Sequence, residues 1–206
     1  MDCSKVIDHK LSHSFADDLD NVSVCVLPEK TPGERRVRAL SYAPLVLGQS
    51  VSVELAELYN AARNAFGQVR WTEFYEADSW SKSFLPSFAN GEGIGPDGRL
   101  QHDEIILGLF LLGPNTVYPE HAHPAEEFYL VLTGNPEFNV GGKGFEFHEA
   151  GSVVLHHSNV SHAIRTSDEP FYAIYGWRGE IGARSWYRDN MAEISESKKY
   201  PTIKKV

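Results

Sequence analysis

The second half of the chain contains a series of short apolar segments separated by turn residues, and this pattern restricts the folds open to it. Gly141 and Gly142 separate two of the segments as a hairpin turn would. Short strands at regular spacing are typical of a β-sandwich or a small β-barrel. We therefore predict a mostly β domain whose strands cover residues 104–112, 128–132, 137–140, 145–147, 152–155, 163–166 and 171–177.

The first half of the chain has a different pattern. Apolar residues recur at three- and four-residue steps from Val51, which predicts a helix that Ser50 or Ser52 would cap. Residues 71–88 are rich in aromatic side chains at roughly helical spacing, and we expect most of them in the core. The glycine-rich stretch 90–98 predicts a loop. The predicted division is a helical N-terminal extension over 1–100, a barrel over 101–180 and a C-terminal tail over 181–206.

Composition excludes several classes of function. The 206 residues are 42% hydrophobic and 23% charged, as expected for one soluble domain. The net charge of -9 and the absence of a basic stripe argue against nucleic acid as a partner. Cys3 and Cys25 set up no disulfide framework, and no apolar run resembles a signal peptide or a membrane span. We expect a cytoplasmic protein that does not enter membranes.

The stretch 118–134 carries the candidate chemistry. His121, His123, Glu127 and Tyr129 all occupy odd positions, so an extended strand would place them on one face, with Pro124 as a bend between the histidines and the glutamate. Two imidazoles and a carboxylate suit one divalent ion such as zinc, iron, manganese or nickel. The candidate for a third imidazole is the distant His162.

Two spacings in this region resemble the motifs of the cupin superfamily. The first is His121-x-His123, three residues, Glu127, six residues and Gly134; the second runs from Gly151 through His157 and Asn159 to His162. The second motif keeps the spacing better than the residue identities. The resemblance covers roughly residues 101–180. It implies a cupin barrel, a jelly roll of double-stranded β-helix type, behind a helical N-terminal extension.

A narrower resemblance lies within the first. The run from Tyr118 to Tyr129, together with Trp177, is similar to the cupin-type dimethylsulfoniopropionate (DMSP) lyases, which split a small sulfonium zwitterion into dimethyl sulfide and acrylate. This resemblance implies two catalytic residues, Tyr129 as the base and Tyr118 as a second hydroxyl at the site, and it implies Trp177 and Tyr118 as contacts for the cationic end of the substrate. The implied metal ligands are His121, His123, Glu127 and His162.

Other interpretations of these residues stay open at this point. Tyr129 is either a base or a core residue, and Trp177 either a platform for a cation or a plug of the barrel. His148, His156 and His157 are interpreted as structural. The same ligands would also serve an Fe(II) dioxygenase or a non-catalytic metal sensor. Both a monomer and a homodimer fit the sequence.

Overall fold

The computed structural model describes residues 17–18, 25–26, 37–75, 77–183 and 185–187. Within these ranges the protein is mostly β, with two sheets that share one core. The core between the sheets combines aromatic and aliphatic side chains from both, such as Phe110 and Val131 from one sheet and Phe138 and Ile164 from the other. The predicted cupin-type barrel is therefore confirmed.

The larger sheet contains eight of the described strands. Its order is β1-β4-β3-β5-β12-β7-β10, and β2 pairs with β3 at the side of this path. The members are β1 (Cys25–Val26), β2 (Arg70–Thr72), β3 (Phe88–Ile94), β4 (Leu100–Gln101), β5 (Ile105–Leu112), β7 (Glu126–Thr133), β10 (Val153–His156) and β12 (Phe171–Arg178).

The smaller sheet contains five of the described strands in the order β13-β6-β11-β8-β9. The members are β6 (Val117–Ala122), β8 (Glu137–Val140), β9 (Phe145–Phe147), β11 (His162–Arg165) and β13 (Trp186–Tyr187). Strand β13 pairs with β6, so the beginning of the predicted C-terminal tail extends the barrel. The rest of that tail, after Tyr187, lies outside the described residues.

Helices cover the outer face of the larger sheet. After the 3-10 turn Arg38–Tyr42, helix α1 spans Ala43–Leu47 and helix α2 spans Val53–Ala65. Ser52 occupies the N-cap position of α2, so the predicted helix is confirmed. The buried face of α2 packs with outward-facing side chains of the sheet, including Leu130 and Tyr172.

Strand β7 divides its side chains between two cores. Phe128, Leu130 and Leu132 face the helices, whereas Tyr129 and Val131 face the barrel interior. Successive side chains of a strand point to opposite faces, so this alternation decides which residues reach the site. It places Glu127 and Tyr129 on the inner face of the larger sheet.

The first half of the chain contains strands and 3-10 turns besides its helices. The aromatic stretch 71–88 contains the end of β2 followed by 3-10 turns at Ser81–Ser83 and Leu85–Ser87, and Phe74 (φ 61°) and Pro86 prevent a longer helix there. Most of its aromatic side chains are nevertheless buried, as expected. The prediction of a loop over 90–98 was wrong for residues 90–94. These residues form the second part of β3, which pairs with β5 through Gly91, Glu92 and Ile94.

These glycines have a packing role that the loop interpretation overlooked. A Cβ at Gly108 of β5 would overlap the backbone oxygen of Gly91 on β3. Strands from before residue 100 thus join those after it in one sheet. The division into three segments stays a prediction.

The close approach of β3 and β5 generates a test of the fold. We expect Gly108→Ala to destabilise the protein by about 1–3 kcal/mol, the usual cost of overpacking a well-packed site, because backbone on one side and Tyr175 on the other leave no room for a methyl group. Urea unfolding measures the change. Gly67→Ala is the control, since nothing lies within 4 Å of its added Cβ. Equal stability of both variants would contradict this account of the packing.

Candidate metal centre

The four predicted ligands converge in the barrel interior from both sheets and from the connection between them. His121 is the next-to-last residue of β6 and His162 begins β11 in the smaller sheet, and these two residues are paired in the register. Glu127 lies on β7 of the larger sheet. His123 lies in the connection between β6 and β7, immediately before Pro124. His121, His123 and Glu127 were predicted to share one strand face. Instead, His121 lies on β6, Glu127 on β7 of the other sheet, and His123 in the connection, where the chain bends at Pro124.

The predicted ligand atoms are close to one another. Candidate ligand atoms of His121, His123 and His162 all lie within 4.8 Å of one another, and all three residues are buried. The Nε2 atoms of His123 and His162 each lie 3.3 Å from Oε2 of Glu127. The structure thus brings all four predicted ligands into one cluster.

The three imidazoles are held by the same kind of hydrogen bond. Backbone carbonyls lie at hydrogen-bonding distance from their Nδ1 atoms: Pro119 O at 2.8 Å from His121, Ala125 O at 2.9 Å from His123 and Val160 O at 2.9 Å from His162. A carbonyl only accepts, so each Nδ1 carries a proton, and the Nε2 atom of each ring is the one left to bind a cation. Outer hydrogen bonds of this kind are typical of metal-binding histidines.

The electrostatics of the cluster favour the ligand forms of these groups. Burial raises the pKa of Glu127, but polar contacts with His123, His156 and His162 outweigh burial and hold the pKa well below its usual range. Burial, together with His162 and His123, holds the pKa of His121 well below its usual value. The carboxylate is therefore ionised and His121 neutral near pH 7. Lone pairs on one carboxylate and three imidazoles fit a divalent cation.

His156 is a site residue that the sequence analysis missed. Its Nδ1 lies 2.9 Å from Oε2 of Glu127, and its ring stacks on His162 with centroids 3.8 Å apart. Glu127, His156 and His162 form a second group that could hold a cation. Burial and the neighbouring His162 lower the pKa of His156 to about 3, so this ring is neutral. Its pairing with Glu127 across β10 and β7 was the missing signal, because pairing between distant strands is not visible in the sequence.

His148 and His157 lie apart from the cluster, as expected, and so does Glu126. His157 is exposed and lies 3.7 Å from Glu126, and His148 is only half-buried. Glu126 points away from the cluster and pairs with Arg178 at 2.8 Å. None of the three contributes to the two groups of candidate ligands found in the described residues.

Aromatic side chains enclose the cluster. The Trp177 ring stacks on His123 at 4.1 Å between centroids, and the Tyr118 ring lies 4.1 Å from that of His121. The hydroxyls of Tyr118 and Tyr75 are hydrogen bonded, so the N-terminal half of the chain contributes directly to the wall of the site. Sequence analysis placed most of the aromatic stretch in the core and did not single out Tyr75.

Tyr129 is buried two residues from Glu127 on β7, inside the same wall. Burial, with the negative charge of Glu127 and hydrogen bonding to it, raises the pKa of the Tyr129 phenol well above its usual value. The protein groups alone therefore stabilise the protonated phenol. A cation beside the oxygen would shift the pKa in the opposite direction.

Most of the chain is similar to one known protein family. Residues 13–173 match the family described as dimethylsulfoniopropionate lyase. The chain belongs to the dimethylsulfoniopropionate lyase family. The resemblance noted in the sequence is thereby confirmed. Among the described residues, no helix combines the length and the apolar character needed to cross a bilayer.

Two named proteins and one crystal structure are similar to the chain. It is 35% identical over 127 residues to dimethylsulfoniopropionate lyase DddQ of Ruegeria pomeroyi, covering 60% of this chain and 63% of that protein. It is 29% identical over 153 residues to a Cereibacter sphaeroides protein named DddL, and this match covers 73% of this chain and 62% of that protein. The matches span less than two thirds of either relative. The crystal structure of DddQ from R. pomeroyi superposes with a TM-score of 0.69 at 25% identity, covering 89% of this chain and 96% of that one.

The convergence of four ligand residues generates a prediction about metal content. Purified protein should carry about one divalent ion per chain, and His123→Ala should lower affinity by more than the roughly 10–100-fold cost of losing a supporting residue. Elemental analysis and chelator competition measure this. His157→Ala is the matched control, because His157 is exposed and outside the cluster. Wild-type protein that cannot be loaded with any divalent ion would show that the cluster is not a metal site.

Proposed function

We propose that this protein is a metal-dependent DMSP lyase that releases dimethyl sulfide from DMSP and leaves acrylate. The observation that carries the proposal is the position of Tyr129 in the same buried, aromatic-walled interior as His121, His123, Glu127 and His162. Membership in the DMSP lyase family supports the choice of substrate. The substrate is a small zwitterion with a carboxylate at one end and a sulfonium at the other.

The three histidines and Glu127 would hold one divalent ion: zinc, iron, manganese or nickel. When bound, such an ion supplies Lewis acidity that polarises the carboxylate of the substrate and acidifies the adjacent carbon. The protein contributes the fixed ring orientations described above, which need no rearrangement before binding. It also excludes water from the cluster, because every proposed ligand is no more than 3% exposed.

Tyr129 is the proposed general base. Its phenolate oxygen takes the proton from the carbon next to the substrate carboxylate, and the electron pair of that C–H bond forms the carbon–carbon double bond. The C–S bond breaks with its electrons leaving on sulfur, so the sulfonium departs as neutral dimethyl sulfide. Charge is conserved, because the proton remains on Tyr129 while acrylate keeps the carboxylate. The raised pKa of Tyr129 makes its activation dependent on a neighbouring cation.

Trp177 and Tyr118 are the proposed contacts for the sulfonium end. Both rings are buried beside metal-ligand histidines, and Phe74 approaches Trp177 at 6.0 Å between centroids. An aromatic surface attracts a cation by about 0.5–2 kcal/mol, more strongly where water is excluded. A sulfonium is also poorly hydrated compared with an ammonium, so an aromatic wall suits it. Tyr118 would additionally offer its hydroxyl, shared with Tyr75.

The activity itself is the first test. Metal-loaded protein incubated with DMSP should release dimethyl sulfide, which headspace gas chromatography measures, and acrylate in equal amount. Removal of the ion by a chelator should abolish release, and reloading should restore it. Release at the uncatalysed rate by protein that retains its metal would contradict the proposed function while leaving the metal site intact.

The role of Tyr129 gives a second test. Tyr129→Phe keeps the ring and removes the oxygen that accepts the proton, so turnover should fall roughly 10²–10⁴-fold, or about 3–5 kcal/mol of barrier. The control is Tyr172→Phe: that hydroxyl donates to Ala62 at 3.2 Å on the helix side of the sheet, away from the site. Metal content is measured in both variants. Wild-type turnover by metal-loaded Tyr129→Phe would reassign Tyr129 to packing and make Tyr118 the next candidate base.

A further inference from the structure

Glu127 lies in a row of three residues that crosses three neighbouring strands. Strand β7 runs between β12 and β10, and Glu127 is directly opposite Trp177 on one side and His156 on the other. Side chains directly opposite one another in neighbouring strands lie on the same face of a sheet. All three side chains therefore point into the barrel at the same level, and all three are buried.

The two neighbours bind different oxygens of the carboxylate. The indole N–H of Trp177 donates to Oε1 at 2.5 Å, and Nδ1 of His156 lies 2.9 Å from Oε2. An ionised carboxylate only accepts, so the proton of this second hydrogen bond lies on His156. Both oxygens of Glu127 are thus held by groups from outside the predicted ligand set.

The same two residues also support the ligand imidazoles. Trp177 stacks on His123, with centroids 4.1 Å apart and planes inclined by 30°. His156 stacks on His162, with centroids 3.8 Å apart and planes inclined by 22°. Each flanking residue therefore fixes one carboxylate oxygen by a hydrogen bond and one ligand ring by face contact.

We propose that Trp177 and His156 are positioning residues that form a carboxylate clamp, fixing Glu127 and two ligand histidines in the geometry that a divalent ion requires. The clamp, defined as the row Trp177–Glu127–His156, rests on the proposed metal site. It adds to Trp177 a task separate from contact with the sulfonium. It also assigns His156, which no sequence motif identified, to the support of the site.

The physical basis is preorganisation. A glutamate side chain has several rotatable bonds, and holding both oxygens removes the entropy that binding an ion would otherwise cost. Charge-assisted hydrogen bonds are roughly twice as strong as neutral ones, and burial strengthens them further. Loss of either donor would leave one buried carboxylate oxygen with fewer partners, in a position free to turn away from the ligand rings.

The cluster allows one rival role for His156, that of a direct ligand, because Glu127, His156 and His162 form a second group able to hold a cation. Its Nε2 is buried and has no hydrogen bond within the described part of the chain. Its Nδ1 hydrogen is engaged by Oε2 of Glu127, so only Nε2 could serve as a ligand atom, whereas His121, His123 and His162 already form a group of candidate ligands without it. A substitution that keeps a donor near Nδ1 but removes the Nε2 atom separates the two roles.

The test uses Co(II) as the probe, because its visible absorption reports coordination and needs no substrate. His156→Leu and Trp177→Phe should each lower Co(II) affinity roughly 10–100-fold in chelator competition, the usual loss for an outer supporting residue, and should change the absorption bands. His156→Asn places an amide N–H near the position of Nδ1 and should recover most of the affinity and the wild-type bands. Melting of the metal-free variants reports whether each is folded.

The matched control is Trp71→Phe, since the indole of Trp71 donates to the carbonyl of Phe66 at 2.8 Å outside the site. It should leave Co(II) affinity and the spectrum unchanged. Wild-type affinity and spectrum in folded His156→Leu and Trp177→Phe would overturn the clamp. If His156→Asn lowers Co(II) affinity as much as His156→Leu does, His156 acts as a ligand and its positioning role is overturned. Wild-type protein that takes up no Co(II) would instead reject the metal site on which the clamp rests.

Discussion

The site depends on one buried charge, the carboxylate of Glu127. An ionised carboxylate inside a protein is tolerated only when hydrogen bonds and opposite charge replace the water that it loses. Trp177 and His156 provide hydrogen bonds, and the ligand rings of His123 and His162 lie 3.3 Å away. Their contacts outweigh burial and keep the pKa of Glu127 low. The same arrangement that makes the charge tolerable also makes it available to a cation.

The candidate ligands are divided between the two sheets. The smaller sheet contributes His121 and His162, and the larger sheet contributes Glu127 with its two flanking residues. His123 lies in the connection between them. A ligand set divided in this way holds its geometry only while the two sheets share a core, so the packing of Phe110, Phe138 and their neighbours also stabilises the site. Small changes in the packing between the sheets should therefore change the distances between the candidate ligand atoms.

The N-terminal half does more than cover the barrel. Its helix α2 packs on the outer face of the larger sheet, while β2 and β3 extend that sheet by hydrogen bonding. The segment between β2 and β3 turns inward, and its Tyr75 hydroxyl bonds to Tyr118 beside His121. Since the phenols of both tyrosines have pKa values raised by burial, both remain protonated near neutral pH. The extension thus supplies part of the polar and aromatic wall around the proposed substrate.

Local pattern in the sequence was sufficient for most strands of the second half, though not for β6 and β13, and for helix α2; it also singled out His121, His123 and Glu127 as candidate ligands. Strand alternation and the His-x-His and glutamate spacing depend on neighbours along the chain, and such neighbours are visible in the sequence. The pairing of β10 and β12 with β7 is different, because it joins residues that are 29 and 50 positions apart. Only the tertiary structure decided that His156 and Trp177 flank Glu127, and that β3 enters the sheet where glycines had suggested a loop. A glycine permits both a turn and a close approach of two strands, and only the packing of β3 against β5 determines which one occurs.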